Sequence, residues 1–125
     1  QDVEGVHWVG RLDDDVLVAA VAGANALLYL PFFEGFGVPV VEAMACGVPV
    51  VASNTSSLPE VCGGAAAALV SPHDFEGAAQ ALLDLETNAV RCKQISLSGI
   101  TRAKDFSWDQ SAEKFSDLIS ELLTS

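Results

Sequence analysis

The chain has 125 residues, half of them hydrophobic, enough to bury the core of one ordinary domain. Its 17 Asp and Glu against 6 Lys and Arg give a formal net charge of -11, which argues against nucleic acid or an anionic membrane surface as a partner. The three cysteines, Cys46, Cys62 and Cys92, have neither metal nor redox spacing and fit the role of small hydrophobes in a reducing cytosol.

The opening Gln1-Asp2-Val3-Glu4 has no basic region and no following apolar core, so no signal peptide is visible. A short strand is expected around Val6 to Val9. Asp13-Asp14-Asp15 then suits the start of a helix running to about Gly23, by capping and by favouring its positive end. Val16 to Phe33 carries no charged side chain and has the length of a bilayer crossing, yet Gly23 and Asn25 interrupt it and Pro31 sits near its end. It divides instead into that helix and a strand over Ala26 to Leu30. A second helix should open near Pro39 and stop at Gly47, since proline suits the first helical position and glycine the left-handed end.

Val48 to Ala52 reads as a continuous β-branched strand, Ser53 to Ser56 as a turn, Leu58 to Val61 as a short helix, and Ala67 to Val70 as a further strand closed by Ser71-Pro72. From Asp74 onward the period is helical, with Phe75, Ala78, Ala79, Leu82 and Leu83 on one face and later Phe115, Leu118, Ile119 and Leu122 on another. Apolar strands separated by helices make the class α/β, a Rossmann-like parallel sheet covered on both faces, with trailing C-terminal helices. Only about four strands can be found, where a complete doubly wound nucleotide-binding domain has about six. This points to the later part of a larger domain.

In such sheets ligands bind beyond the carboxyl ends of the strands, where Glu34, Gly35, Phe36 and Gly37 follow the strand that ends at Pro31. Glycines there let the backbone approach a ligand, and the unpaired N–H groups of the helix opening near Pro39 favour an anion such as phosphate. Glu34 stands on one side of that point and Glu42, one helical turn in and angled back toward the N-terminus, on the other. Carboxylates suit vicinal hydroxyls rather than phosphates, so the ligand that satisfies all three features is a nucleoside diphosphate sugar, with Glu34 on the sugar and Glu42 on the ribose. The alternative is an exposed loop charge and an acid at a helix N-terminus.

The segment EGFGVPVVEAMACGVPVVAS resembles the signature of retaining glycosyltransferases of the GT-B fold, family 4 (group 1), in which a second Glu stands eight positions after the first. VHWVGRLDDDVL, ALLYLPFFEGFG, SNTSSLPEV, GGAAAALVSP and KDFSW also look like blocks of that family, in its order. The resemblance implies that residues 1–125 are the C-terminal donor-binding domain, with the N-terminal acceptor domain and the first strands of this domain absent. It implies that Glu34 is the catalytic-site carboxylate on the donor sugar, that the backbone N–H groups of Gly35, Phe36, Gly37 and Val38 face sugar and phosphate oxygens, and that Glu42 binds ribose. It further implies hexosyl transfer with retention, no metal and no cofactor, preorganised dipoles stabilising the leaving diphosphate. The implied partners are a nucleotide-sugar donor, a glycan or lipid-linked acceptor and the missing N-terminal domain of the same protein, in the cytoplasm or at the inner membrane through that domain.

The pattern departs from the family in places. No match exists for the Arg and Lys that neutralise the diphosphate; Arg11 belongs to a later block, and the acidic balance fits a part whose compensating cations lie elsewhere. Phe32 stands where the family has Ser, free to pack over a ligand or in the core. His7 reads as a strand residue and His73 as a turn residue. Some family members that use guanine nucleotides place an acid near Asp14, with Leu12 against the ring, and a carboxylate can accept both N–H donors of guanine. GDP-mannose is the expected donor, a UDP-glucose or UDP-GlcNAc enzyme or a non-catalytic module of the same fold the alternatives. Asp14 could instead belong to the helix cap. Ser53 to Ser57 with Pro59-Glu60 form a second mouth loop able to touch donor or acceptor. Ser107 reads as a helix N-cap, and Trp108 as a packing residue.

Overall fold

The computed structural model describes residues 3–125. Three strands, β1 (Leu27–Tyr29), β2 (Val50–Ser53) and β3 (Ala68–Val70), form a parallel sheet in the order β1-β2-β3. Helix α1 (Asp14–Ala22) precedes β1, α2 (Val38–Ala45) joins β1 to β2, and α3 (Leu58–Cys62) joins β2 to β3. Three more helices follow: α4 (Phe75–Thr87), α5 (Ala89–Ala103) and α6 (Trp108–Thr124). The apolar stretch over 16–33 is therefore a helix and a strand, and no helix among the described residues is long and apolar enough to cross a membrane.

Strand β2 is buried along its whole length because it is paired on both sides, Leu28 opposite Val51 on one and Ala52 opposite Leu69 on the other. Its alternating side chains serve two cores. Val50 and Ala52 pack with Val40, Ala43 and Met44 of α2 and with Leu58, Val61 and Cys62 of α3. Val51 packs with Ala78 and Leu85 of α4 on the opposite face. Helix α5 lies along α2, where Gly99 lets Met44 approach and Ser96 Oγ donates to the Gly47 carbonyl at 2.6 Å. The left-handed conformation at Gly47, φ 73°, ends α2 as its glycine foreshadowed.

Several expectations fail in the same way. Residues 6–9 form no strand and are exposed, so the sheet has three strands rather than four among the described residues. No neighbour pairs with that stretch, and an extended segment without a partner gains neither ladder bonds nor burial. The strand expected to begin at Val48 begins at Val50. Helix α1 forms, but it has no buried residue, and Asp13 occupies the N-cap position without a side-chain cap bond. The stripe Phe115, Leu118, Ile119 and Leu122 shares a face of α6 as its period requires, yet that face is uncovered, as are Phe75 and Leu83 of α4. Trp108 does not pack; it is 91% exposed. Ser107 does cap α6, accepting from the Gln110 N–H at 3.1 Å.

Candidate functional site

The carboxyl ends of β1 and β2 are neighbours, so the loops that leave them meet. The loop over 30–37 carries Glu34, and it is tied down by the hydroxyl-rich turn after β2. Ser53 Oγ and Thr55 Oγ1 donate to the Pro31 carbonyl at 2.8 and 3.2 Å and lie 3.1 Å from each other. Ser57 Oγ sits within reach of the carbonyls of Glu34 at 3.2 Å and Phe36 at 2.9 Å, and Ser56 Oγ accepts the Glu34 N–H at 3.2 Å. Ser56 adopts a left-handed conformation, φ 55°, the one non-glycine residue among the described residues to do so. Phe36 closes the loop edge-on against Phe106, ring centroids 5.6 Å apart, and the Arg102 guanidinium lies 4.8 Å over the other ring of that pair.

Within this frame the Glu34 side chain is itself held. Tyr29, from the end of β1, donates its hydroxyl to Glu34 Oε2. Oε1 accepts the Gly35 N–H at 2.9 Å, with the Phe36 N–H farther away at 3.5 Å. The Tyr29 hydroxyl is the largest influence holding the Glu34 carboxyl below its ordinary pKa; burial, next in size, opposes it, and the Phe36 and Gly35 amides add to the lowering. The reciprocal effect pushes the Tyr29 phenol up: its hydrogen bond to Glu34 leads, followed by burial and the carboxylate charge. Glu34 is thus held as an ionised acceptor, and its oxygens keep acceptor capacity beyond these bonds.

Helix α2 opens just beyond. Gly37 is its N-cap, buried and at φ 101°, with Val38 and Pro39 as the first helical residues. Among the described residues the N–H groups of Gly37 and Val38 meet no protein acceptor, and proline has none to offer, so two oriented donors remain at the positive end of the helix. Val40, Ala43 and Met44 turn inward, while Val38, Glu42 and Ala45 share the exposed stripe. Glu42 therefore stands one turn from Val38 on the same face, its side chain leaning back toward the helix start. In chain order this gives a carboxylate in the loop after β1, two amides at the start of α2, and a second carboxylate one turn into that helix.

Four of the expected donor contacts thus divide into two kinds. The amides of Gly35 and Phe36 face the protein's own carboxylate, whereas those of Gly37 and Val38 meet no protein acceptor among the described residues. Leu12 and Asp14 stand at the opening of α1, Leu12 half-buried and Asp14 exposed. Phe32 and Phe33 are exposed rather than core, and Phe32 leans on His73 at 5.1 Å. Sequence reasoning missed Tyr29 altogether and read the serine-rich turn as a ligand contact or an ordinary turn. The run of hydroxyls was visible in the sequence, but its role depends on the preceding strand lying beside β1, which no local pattern shows.

The family described as glycosyl transferases group 1 matches residues 3–102 of the chain. O-antigen chain mannosyltransferase B of Escherichia coli is 40% identical over 105 residues, covering 83% of this chain and 27% of its own. MMP alpha-(1->4)-mannosyltransferase of Mycolicibacterium hassiacum is 38% identical over 110 residues, 86% of this chain and 27% of its own. The chain thus spans about a quarter of the length of these relatives. Among solved structures, sucrose-phosphate synthase from Thermosynechococcus elongatus superposes with a TM-score of 0.78 at 27% identity, over 93% of this chain and 30% of that one.

Proposed function

The chain belongs to the group 1 glycosyl transferases, with the GT-B type of fold, and from that premise we propose that it is the donor-binding part of a longer hexosyltransferase. In this reading the enzyme is retaining and metal-independent, and it moves mannose from GDP-mannose to a glycan or lipid-linked acceptor chosen by another domain. The observation that carries the assignment is a carboxylate pinned by Tyr29 and Gly35 directly before the start of α2, where two amides meet no protein acceptor among the described residues and Glu42 follows one turn beyond. Glu34 takes hydroxyls of the donor sugar. The Gly37 and Val38 amides and the helix end take the diphosphate, whose charge grows as the bond to the anomeric carbon breaks, so fixed dipoles there favour the transition state. Glu42 takes the ribose hydroxyls, and Leu12 and Asp14 take guanine. The names of the two mannosyltransferase relatives support mannose as the transferred sugar. Cytoplasmic placement, beside the pool of donor, belongs to the same reading.

Calorimetry of the chain with GDP-mannose and with UDP-glucose tests this. The expected result is weak binding of GDP-mannose, abolished in Glu34→Gln, selectively reduced in Asp14→Ala, and no transfer by the chain alone. Equal losses of both nucleotides in Asp14→Ala would remove the guanine assignment. Unaltered GDP-mannose binding in Glu34→Gln would remove Glu34 from the donor site, and transfer catalysed by these residues alone would refute the division of labour.

A further inference from the structure

We propose that Tyr29 is a positioning residue for Glu34, a hydroxyl built into the end of the sheet to hold the carboxylate in its sugar-binding orientation before the donor arrives. This rests on the assignment of Glu34 to the donor sugar. The two residues come from differently anchored parts of the fold. Tyr29 is fixed from below: it is paired in register with Ala52 of the fully buried β2, and it packs against the core cluster of α2 and α3. Glu34 is fixed through its backbone, whose N–H and C=O engage Ser56 and Ser57. Both serines engage backbone atoms rather than the carboxylate.

The side chain of a glutamate has three rotatable bonds, and backbone ties leave all of them free. Among the described residues two kinds of hydrogen bond orient the carboxylate: the amides of Gly35 and Phe36 on Oε1 and the Tyr29 hydroxyl on Oε2. The amides sit in the same loop and move with it, so of these contacts it is the phenol that links the carboxylate to the rigid sheet. Each oxygen accepts on one side and keeps lone pairs for a ligand on the other, which is the pattern needed to receive two neighbouring hydroxyls. Ordering the side chain in advance removes that cost from donor binding. Loss of a hydrogen bond to an ionised group, together with this ordering, corresponds to roughly tenfold in affinity.

The test is NMR titration of the chain with isotope-labelled glutamate carboxyl and tyrosine phenol carbons, free and with GDP-mannose. In the unmutated protein the Tyr29 phenol carbon should show a step at the pH where Glu34 titrates, a readout that needs no variant. In Tyr29→Phe, which keeps the ring and its packing, the Glu34 midpoint should move up and GDP-mannose should bind roughly tenfold more weakly, with the amide spectrum otherwise that of the same fold. Absence of the coincident step, or a Glu34 midpoint unmoved in Tyr29→Phe, overturns the positioning role. A midpoint that moves while both Tyr29→Phe and Glu34→Gln leave GDP-mannose affinity intact overturns instead the donor-sugar assignment on which that role depends.

Discussion

Replacing Gly37 with alanine should cost stability, and replacing Gly35, two residues earlier in the same loop, should not. At Gly37 the backbone sits at φ 101° and ψ 44°, a left-handed conformation that costs a residue with a Cβ about 1–2 kcal/mol. The added carbon would lie 2.6 Å from Leu58 Cδ2, and Leu58 is fully buried at the start of α3. Carbon atoms prefer about 3.5–4.0 Å, so Leu58 must shift by roughly 1 Å inside a packed core, an overpacking penalty of about 1–3 kcal/mol. The lower entropy of the unfolded chain returns about 0.4–1 kcal/mol. The balance is a loss of about 1–5 kcal/mol, centred on about 3 kcal/mol, a large share of the stability of a small domain. Urea unfolding should be followed by circular dichroism, because Trp8 and Trp108 are 94% and 91% exposed and their fluorescence does not sense the core. The midpoint should fall by about 1–2 M urea, given the usual slopes for domains of this size. At Gly35 an added Cβ meets nothing within 4 Å and φ is not left-handed, so Gly35→Ala should stay within about 0.5 kcal/mol while obstructing the mouth and weakening GDP-mannose. Equal stability losses at the two positions, or a loss below about 0.5 kcal/mol at Gly37, would refute the reasoning.

Arg102→Ala should destabilise by about 2–3 kcal/mol, since its guanidinium donates to the carbonyls of Val61 and Glu60 at 2.9 and 2.7 Å at the end of α3; Arg102→Lys should recover little of it in urea unfolding, a point charge being unable to reach both. The thermal midpoint should depend on pH at both ends. The lowered Glu34 contributes fully above the ordinary carboxylate pKa and loses its contribution as pH falls through the lowered value; the raised Tyr29 contributes fully below the ordinary phenol pKa and loses its contribution as pH rises through the raised one. Tyr29→Phe should flatten both limbs, and an unchanged acid limb would contradict the pairing. Thiol labelling followed by mass spectrometry should modify the exposed Cys46 first and the buried Cys62 last, because burial pushes the Cys62 thiol up despite the nearby Arg102 charge; early modification of Cys62 would contradict its place in the core.

What the sequence made legible was whatever local chemistry decides. The proline and glycine around α2, the hydroxyl of Ser107, and the β-branched run of β2 each act on their own neighbours; α2 and α6 stand where those residues predict, and β2 forms from the same run shifted to Val50–Ser53. Residues 6–9 and the apolar stripe of α6 obey equally good local patterns and still lack burial, because a strand needs a second strand and an amphipathic helix needs a surface. Patterning states which face wants a partner; it does not supply one. The same distinction separates Ser107, whose cap lies three residues away, from Trp108 beside it, whose packing depended on something distant and is absent.

At the site, the spacing of Glu34 and Glu42 was readable because one helical turn and one tight loop fix it. The support beneath it was not readable, for it crosses 21 to 24 positions of sequence, from Ser53, Thr55, Ser56 and Ser57 back to residues 31–36. Those contacts exist because β1 and β2 are adjacent and parallel, which delivers their following loops to one end of the sheet. Parallel pairing thus has a chemical consequence: a turn rich in hydroxyls becomes the floor of the loop before it. Replacing both Ser56 and Ser57 with alanine should therefore loosen the Glu34 loop, seen as faster amide exchange at Glu34, while amides of β2 keep their protection. Equal acceleration in loop and strand would mean that the turn sustains the sheet rather than the site.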